Sequence, residues 1–307
     1  MSKIAFVFPG QGAQYIQMAQ SFYEANEQSK EIFDIASDAL NIDMKQLCFE
    51  ENDQLNITEY TQPAILTATI ATLKAVEDYN IQPEVVAGLS LGEYSALVAN
   101  NALTFEEAVK IVRQRGKFMQ EAVPVGVGSM AAIIGLTNEK VEEICSQIEG
   151  IVELANYNCP GQIVISGEKE AIEKAVESLK ANGAKRALIL NVSGPFHSSL
   201  LKPAGDNLEK VLQNVSLREM TCPYIANTTA EYVEQLDSIK PLLVKQVYSS
   251  VKWEQSIKNM IENGIDTFVE IGPGKTLSSF IKKIDRKKTV INIDTMKDLE
   301  KLGGLTC

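Results

Sequence analysis

The chain has 307 residues, a net charge of −11, an apolar content of 45% and a single histidine. Its length exceeds that of a usual single domain, so two domains, or one domain carrying an insertion, are expected. The acidity disfavours general nucleic-acid or anionic-membrane binding, the lone histidine excludes a metal site built on several histidines, and no apolar run is long enough to span a bilayer.

The opening "MSKIAFVFPGQG" has too short an apolar run for a signal-peptide core and reads as a first strand, Lys3 to Phe8. The loop after it, "FPGQGAQY", fails as a dinucleotide fingerprint, because Tyr15 stands where G-x-G-x-x-G needs its third glycine. Helical stretches follow to about Phe49, and another helix runs from about Gln62 to Tyr79. Five cysteines, Cys48, Cys145, Cys159, Cys222 and Cys307, are odd in number, scattered and without a C-x-x-C pair. They point to a reducing cytoplasm rather than to disulfides or zinc. Strand–helix alternation predicts a parallel sheet covered on both faces.

In "VVAGLSLGEYSALVAN", a short buried strand runs into a helix through Gly88-Leu89-Ser90-Leu91-Gly92. This matches the G-x-S-x-G nucleophile elbow, whose glycines relieve a turn too sharp for β-carbons. The helix behind it would aim unsatisfied N–H groups at the serine oxygen. A serine flanked by glycines can equally be a plain helix cap. The next helix opens with the capping box Thr104 to Glu107 and extends to about Ala122. Phe105, Ala108, Val109, Val112, Gly116 and Met119 form its apolar stripe, with Arg115 at the stripe's edge and Arg113 and Lys117 pointing away. Burying that guanidinium requires a partner, unless its stem snorkels to the surface.

After "VPVGVGS" the rhythm changes. A strand (Met130 to Leu136), a helix (Asn138 to Glu149), two strands (Ile151 to Asn158 and Gln162 to Gly167), a helix (Glu168 to Asn182) and a last strand (Ala184 to Val192) make a β-α-β-β-α-β series. That order is ferredoxin-like. The expected fold is therefore α/β, an α/β-hydrolase-like parallel-sheet core in residues 1–123 and 199–307 with a ferredoxin-like small domain inserted at 124–198. His197, the only available base for Ser90, sits at the seam in "NVSGPFHSSL", where clefts tend to form. No aspartate lies between Ser90 and His197, so a third triad member is absent or is not a carboxylate; a backbone carbonyl could orient the imidazole instead. Alternation resumes afterwards, with a strand from Asp266 to Gly272 leading into Gly272-Pro273-Gly274-Lys275.

Taken together, "FPGQGAQ", "TQPAIL", "GLSLGEYSALVA", "RGKFMQEAVP", "MAAIIGL", "CPGQIVISG", "GPFHSSLLKPA", "QVYSSVKW" and "EIGPGK" resemble, in order and over nearly the whole chain, the malonyl-CoA:acyl-carrier-protein transacylase family of fatty-acid synthesis. The resemblance implies two-step acyl transfer from malonyl-CoA to acyl carrier protein, with Ser90 as nucleophile and His197 as base. It implies that the backbone carbonyl of Gln246 orients His197, that the N–H groups of Gln11 and Leu91 form the oxyanion hole, and that Arg115 grips the malonyl carboxylate. Phe196 resembles the malonyl-selective form of the family. No cofactor or metal is expected, and the enzyme is expected to be a cytoplasmic monomer. Leu89 and Ser250 depart from the family, many members having histidine and proline there. Because carrier proteins are acidic, a local basic face is expected at Lys275, Lys282, Lys283, Arg286, Lys287 and Lys288, with Lys185 and Arg186 as additions; a merely solvated helix face would look the same. A thioesterase, a polyketide acyltransferase and a non-catalytic carrier-protein module are the alternatives.

Overall fold

The computed structural model describes residues 2–124, 126–192 and 194–305; Cys307, one of the scattered cysteines, lies outside them. The first strand, β1 (Ile4–Phe8), is followed by α1 (Gln20–Ala25), α2 (Glu27–Leu40), α3 (Met44–Phe49) and α4 (Thr58–Glu77). Next come β2 (Val85–Gly88), α5 (Gly92–Ala99) and α6 (Phe105–Glu121). A separate run holds β3 (Gly128–Ile134), α7 (Asn138–Cys145), β4 (Val152–Cys159), β5 (Gln162–Glu168), α8 (Lys169–Ala181) and β6 (Arg186–Ile189). The chain then returns through a 3-10 turn (Ser199–Leu201), α9 (Lys202–Gln213), β7 (Tyr224–Ile225), β8 (Tyr232–Val233), α10 (Leu236–Val247) and α11 (Trp253–Glu262). It closes with β9 (Thr267–Ile271), α12 (Thr276–Ile284), β10 (Thr289–Ile293) and a 3-10 helix (Met296–Gly304).

Two sheets result. One has six strands in the order β10-β9-β1-β2-β7-β8, parallel except for the last pair. Both of its faces are covered, as the apolar runs of β1 and β2 require. Phe6, Phe8 and Val86 point into the core against α2, α4 and α6, while Ala5, Val7, Val85 and Ala87 join Trp253, Ile257, Leu277 and Phe280 on the opposite face. The other sheet has four antiparallel strands in the order β4-β5-β3-β6, with α7 and α8 against one face. Among the described residues no helix is long and apolar enough to cross a membrane.

Differences from the sequence reading are local. Helix α4 begins a turn early, at Thr58, where the Thr61 hydroxyl donates to the Leu55 and Ile57 carbonyls and ties the entry down ahead of Pro63. Helix α7 stops at Cys145 because Ser146 turns its hydroxyl back onto the Glu143 carbonyl. The last small-sheet strand is only four residues long, Arg186–Ile189, the stretch over which it pairs with β3.

Candidate active site

The serine junction forms as a strand–turn–helix. Ser90 has φ 52°, a left-handed conformation that an ordinary residue holds only when its surroundings force it. The force is steric: a β-carbon on Gly88 would lie 1.9 Å from the Gly92 carbonyl carbon, and one on Gly92 would lie 2.2 Å from the Phe8 carbonyl oxygen. The turn is thus clamped between the ends of β1 and β2, whose register pairs Phe8 with Gly88.

His197 comes from the loop between β6 and α9 and also has positive φ, 61°. Its Nδ1 lies 2.8 Å from the Gln246 backbone oxygen and its Nε2 lies 2.7 Å from Ser90 Oγ. A carbonyl can only accept, so Nδ1 carries the proton and Nε2 presents a lone pair to the serine hydroxyl. Burial, followed by the charge of Arg115, lowers the imidazole pKa from 6.5 to about 4, against the backbone contacts of Gln246 and Ser249. The ring is neutral at pH 7 and able to take a proton.

Arg115 is 1% exposed. The stripe residues Phe105, Ala108, Val109, Val112, Gly116 and Met119 are buried with it, while Lys117 is exposed and Arg113 pairs with Glu59. Its guanidinium donates to Gln62 Oε1 at 2.8 Å, to Gln246 Oε1 at 2.9 Å and to Ser90 Oγ at 3.1 Å. Among the described residues no carboxylate reaches it as an ion pair. Burial pulls its pKa below the ordinary value, opposed by Tyr94 and Glu93. A guanidinium nonetheless stays charged, so the site holds a buried cation facing neutral acceptors.

Gln11, Ser90, Arg115, Phe196 and His197 line one cleft of about 790 Å³, together with Leu89, Met119, Met130, Asn156 and Phe280. The cleft lies between the two sheets. Gln246 is fully buried behind it, and Leu91 is buried below Ser90. Neither the Gln11 nor the Leu91 N–H has a hydrogen-bond acceptor among the described residues. Of the two departures, Leu89 lines the cleft, and Ser250 donates from its hydroxyl to the Leu154 carbonyl of β4 at 2.5 Å. The site also uses residues to which the sequence assigned no role. Gln62 stands in "TQPAIL" and Glu93 in "GLSLGEY", stretches that carry the family resemblance, while Asn227 stands in none of them.

The acyl transferase domain family matches residues 5–303. A malonyl CoA-acyl carrier protein transacylase of Bacillus subtilis is 47% identical over 98% of this chain and 96% of its own. A solved malonyl CoA-acyl carrier protein transacylase from Clostridium perfringens superposes with a TM-score of 0.95 at 49% identity, covering 99% of this chain and 97% of the other. A malonyl-transacylase solved in complex with a type II PKS acyl-carrier protein gives a TM-score of 0.95 at 39% identity, covering 98% of each chain. With a profile match and near-full-length identity of this order, the chain belongs to the acyl transferase domain family, among its malonyl CoA-acyl carrier protein transacylases.

Proposed function

We propose that the chain moves a malonyl group from malonyl-CoA to the phosphopantetheine thiol of acyl carrier protein through a malonyl-Ser90 ester, supplying fatty-acid elongation. One observation carries this reading: Ser90 Oγ lies within hydrogen-bond distance of both a neutral imidazole and a buried guanidinium that lacks a carboxylate. A base beside a serine supports acyl transfer, and the unpaired cation supports a donor that brings its own anion.

In the first half-reaction Ser90 Oγ attacks the thioester carbonyl while its proton passes to His197 Nε2. The N–H groups of Gln11 and Leu91 hold the oxyanion, each donor contributing about 3 kcal/mol. The C–S bond breaks and the CoA sulfur takes the proton from His197. The carrier-protein thiol then gives its proton to His197 and attacks the ester carbonyl; the ester C–O bond breaks and His197 returns the proton to Ser90 Oγ. The Gln246 carbonyl keeps the imidazole in the required tautomer. Arg115 would grip the malonyl carboxylate in a planar, bidentate pair. That pairing would also offset one of the two causes that depress the His197 pKa, making the base stronger once substrate is seated. Phe196 would form the wall favouring malonyl over branched donors.

On this reading the large domain (1–123 and 199–307) is α/β-hydrolase-like and the insert (124–198) ferredoxin-like. The strand order of the four-stranded sheet supports the latter. A thioesterase is less well supported, since hydrolysis gives Arg115 no purpose. We further read the enzyme as a cytoplasmic monomer. Its carrier protein would meet the basic end of α12: Thr276 and Phe280 line the cleft, and Lys283 reaches Gln162 across the seam. The test is intact-mass analysis after mixing with malonyl-CoA. A single malonyl adduct that Ser90→Ala abolishes and holo carrier protein discharges is expected; an adduct surviving that substitution would overturn the assignment.

A further inference from the structure

We infer that Glu93 is a positioning residue for the transfer reaction, its buried carboxylate fixing Gln246 and, through it, the groups that aim His197 and hold Arg115. The inference rests on the acyl-transfer reading of the site.

Glu93 lies in the first turn of α5 and is 0% exposed. Among the described residues no lysine or arginine pairs with it; its Oε2 accepts from Gln246 Nε2 at 2.6 Å and from the Asn227 backbone N–H at 3.3 Å. Burying a carboxylate without a cation is expensive. Here burial raises its pKa to about 7, against the Gln246 and Asn227 bonds, the Arg115 charge and the facing Tyr224 hydroxyl. The first turn of a helix favours an acid, but not one sealed from solvent, so the acid's value must lie in what it holds.

It holds two residues, and these reach every reacting group. Asn227 accepts from the Ser90 backbone N–H at 2.6 Å through Oδ1 and donates to the Gly88 carbonyl at 2.7 Å through Nδ2, gripping the elbow from both sides. Gln246 donates from Nε2 to the Ser90 carbonyl at 2.9 Å, accepts from Arg115 at 2.9 Å through Oε1, and offers its backbone oxygen to His197. An amide has one accepting and one donating end, and only its surroundings decide which way it faces. Glu93 Oε2 accepts whether the group is ionised or carries a proton on Oε1, so it makes the Gln246 NH2 face inward and leaves the amide oxygen for Arg115. Without that acceptor the amide keeps only the Ser90 carbonyl, Arg115 and a long Asn227 contact as partners, and the segment whose carbonyl aims the imidazole loosens. Misplacement by about 1 Å can cost on the order of 100-fold in rate.

The experiment compares wild type, Glu93→Gln (one oxygen retained), Glu93→Met (similar volume, no acceptor), Gln246→Ala and the Glu93→Met/Gln246→Ala double variant. Each is assayed for kcat and KM with malonyl-CoA and saturating carrier protein, and for Tm. Glu93→Met is expected to lower kcat about 30- to 100-fold with KM within about threefold, and to lower Tm modestly because the Asn227 N–H loses its acceptor. Glu93→Gln should recover at least about fivefold of that loss, and in the Gln246→Ala background Glu93→Met should cost less than about threefold. A Glu93→Met enzyme with wild-type kcat, a Gln variant no better than Met, or equal losses in both backgrounds would overturn the inference. If the Met variant does not fold, Glu93→Asp decides: its shorter reach should lower kcat about tenfold at unchanged KM, and a wild-type rate would overturn the inference. Wild-type enzyme that transfers no malonyl group would instead overturn the reading of the site itself.

Discussion

Ser90 and His197 occupy the same unusual backbone region, with φ 52° and 61°, but they are held there by different forces. Ser90 is fixed by exclusion, with the backbone of α5's first turn packed where a side chain at 88 would stand and that of Phe8 and Pro9 where one at 92 would stand. His197 is fixed by attraction, through the Gln246 carbonyl, a Phe196 N–H to Gly194 contact and the Ser198 hydroxyl on the Pro195 carbonyl. Repulsion between packed backbones is all or none, whereas hydrogen bonds can be lost singly. One half of the site should therefore fail abruptly and the other by degrees.

The sharpest break should come from Gly88→Ala. Its methyl has nowhere to go, because its nearest neighbours are backbone atoms of Gly92 and Glu93. Soluble yield and Tm should fall as for a loss of about 3 kcal/mol or more, and any folded fraction should acylate at least about 100-fold more slowly. A variant with wild-type Tm and rate would show that the elbow can relax and would erase the contrast.

On the attractive side Arg115→Ala should act selectively. Malonyl transfer should fall on the order of 100-fold, while transfer from an uncharged acyl-CoA should be spared or raised, since no guanidinium is then left unpaired. Parallel loss on both donors in the same assay would mean that Arg115 supports the fold and not the choice of substrate.

The most graded effect is that of pH. The folded pKa of His197 is depressed from 6.5 to about 4, so the unfolded chain binds the extra proton between these values. Its contribution is intact above pH 6.5 and is lost as pH falls toward 4, by at most about 3 kcal/mol. Glu93 has the opposite sign: its pKa is raised from 4.5 to about 7, and its contribution declines as pH rises through that window. Denaturant melts of wild type and His197→Gln from pH 6.5 down to 4 should show a steeper loss for wild type. The acid limb of kcat/KM, which reports the free enzyme, should lie below pH 6. A limb at an ordinary histidine value with identical melts would show the ring to be solvated.

Legibility from sequence follows the same divide. The elbow was readable because steric exclusion demands glycine at fixed spacing, and the capping box at Thr104 and Glu107 is likewise a local pattern. The buried Arg115 could be read from a helical stripe. Gln246 could be assigned only by resemblance, because its function lies in a backbone carbonyl that any residue possesses. Glu93 and Asn227 went unassigned for a related reason: their partners lie 134 to 153 positions away, and no periodicity records such a distance. The ends of α4 and α7 were displaced because threonine and serine hydroxyls, which serve either helix or turn, settled them.

The seam beside Gln246 has a mechanical consequence. Val251 donates its N–H to the Ala155 carbonyl at 2.8 Å and accepts from Tyr157 at 2.9 Å, forming a parallel bridge opposite Asn156, with Ser250 bonded alongside. The floor that aims the imidazole and the wall that carries Asn156 are thus stitched by main chain. The two bodies cannot swing apart like a clamshell without tearing that stitch. The gap between them resists widening at this edge, because three hydrogen bonds cross it there.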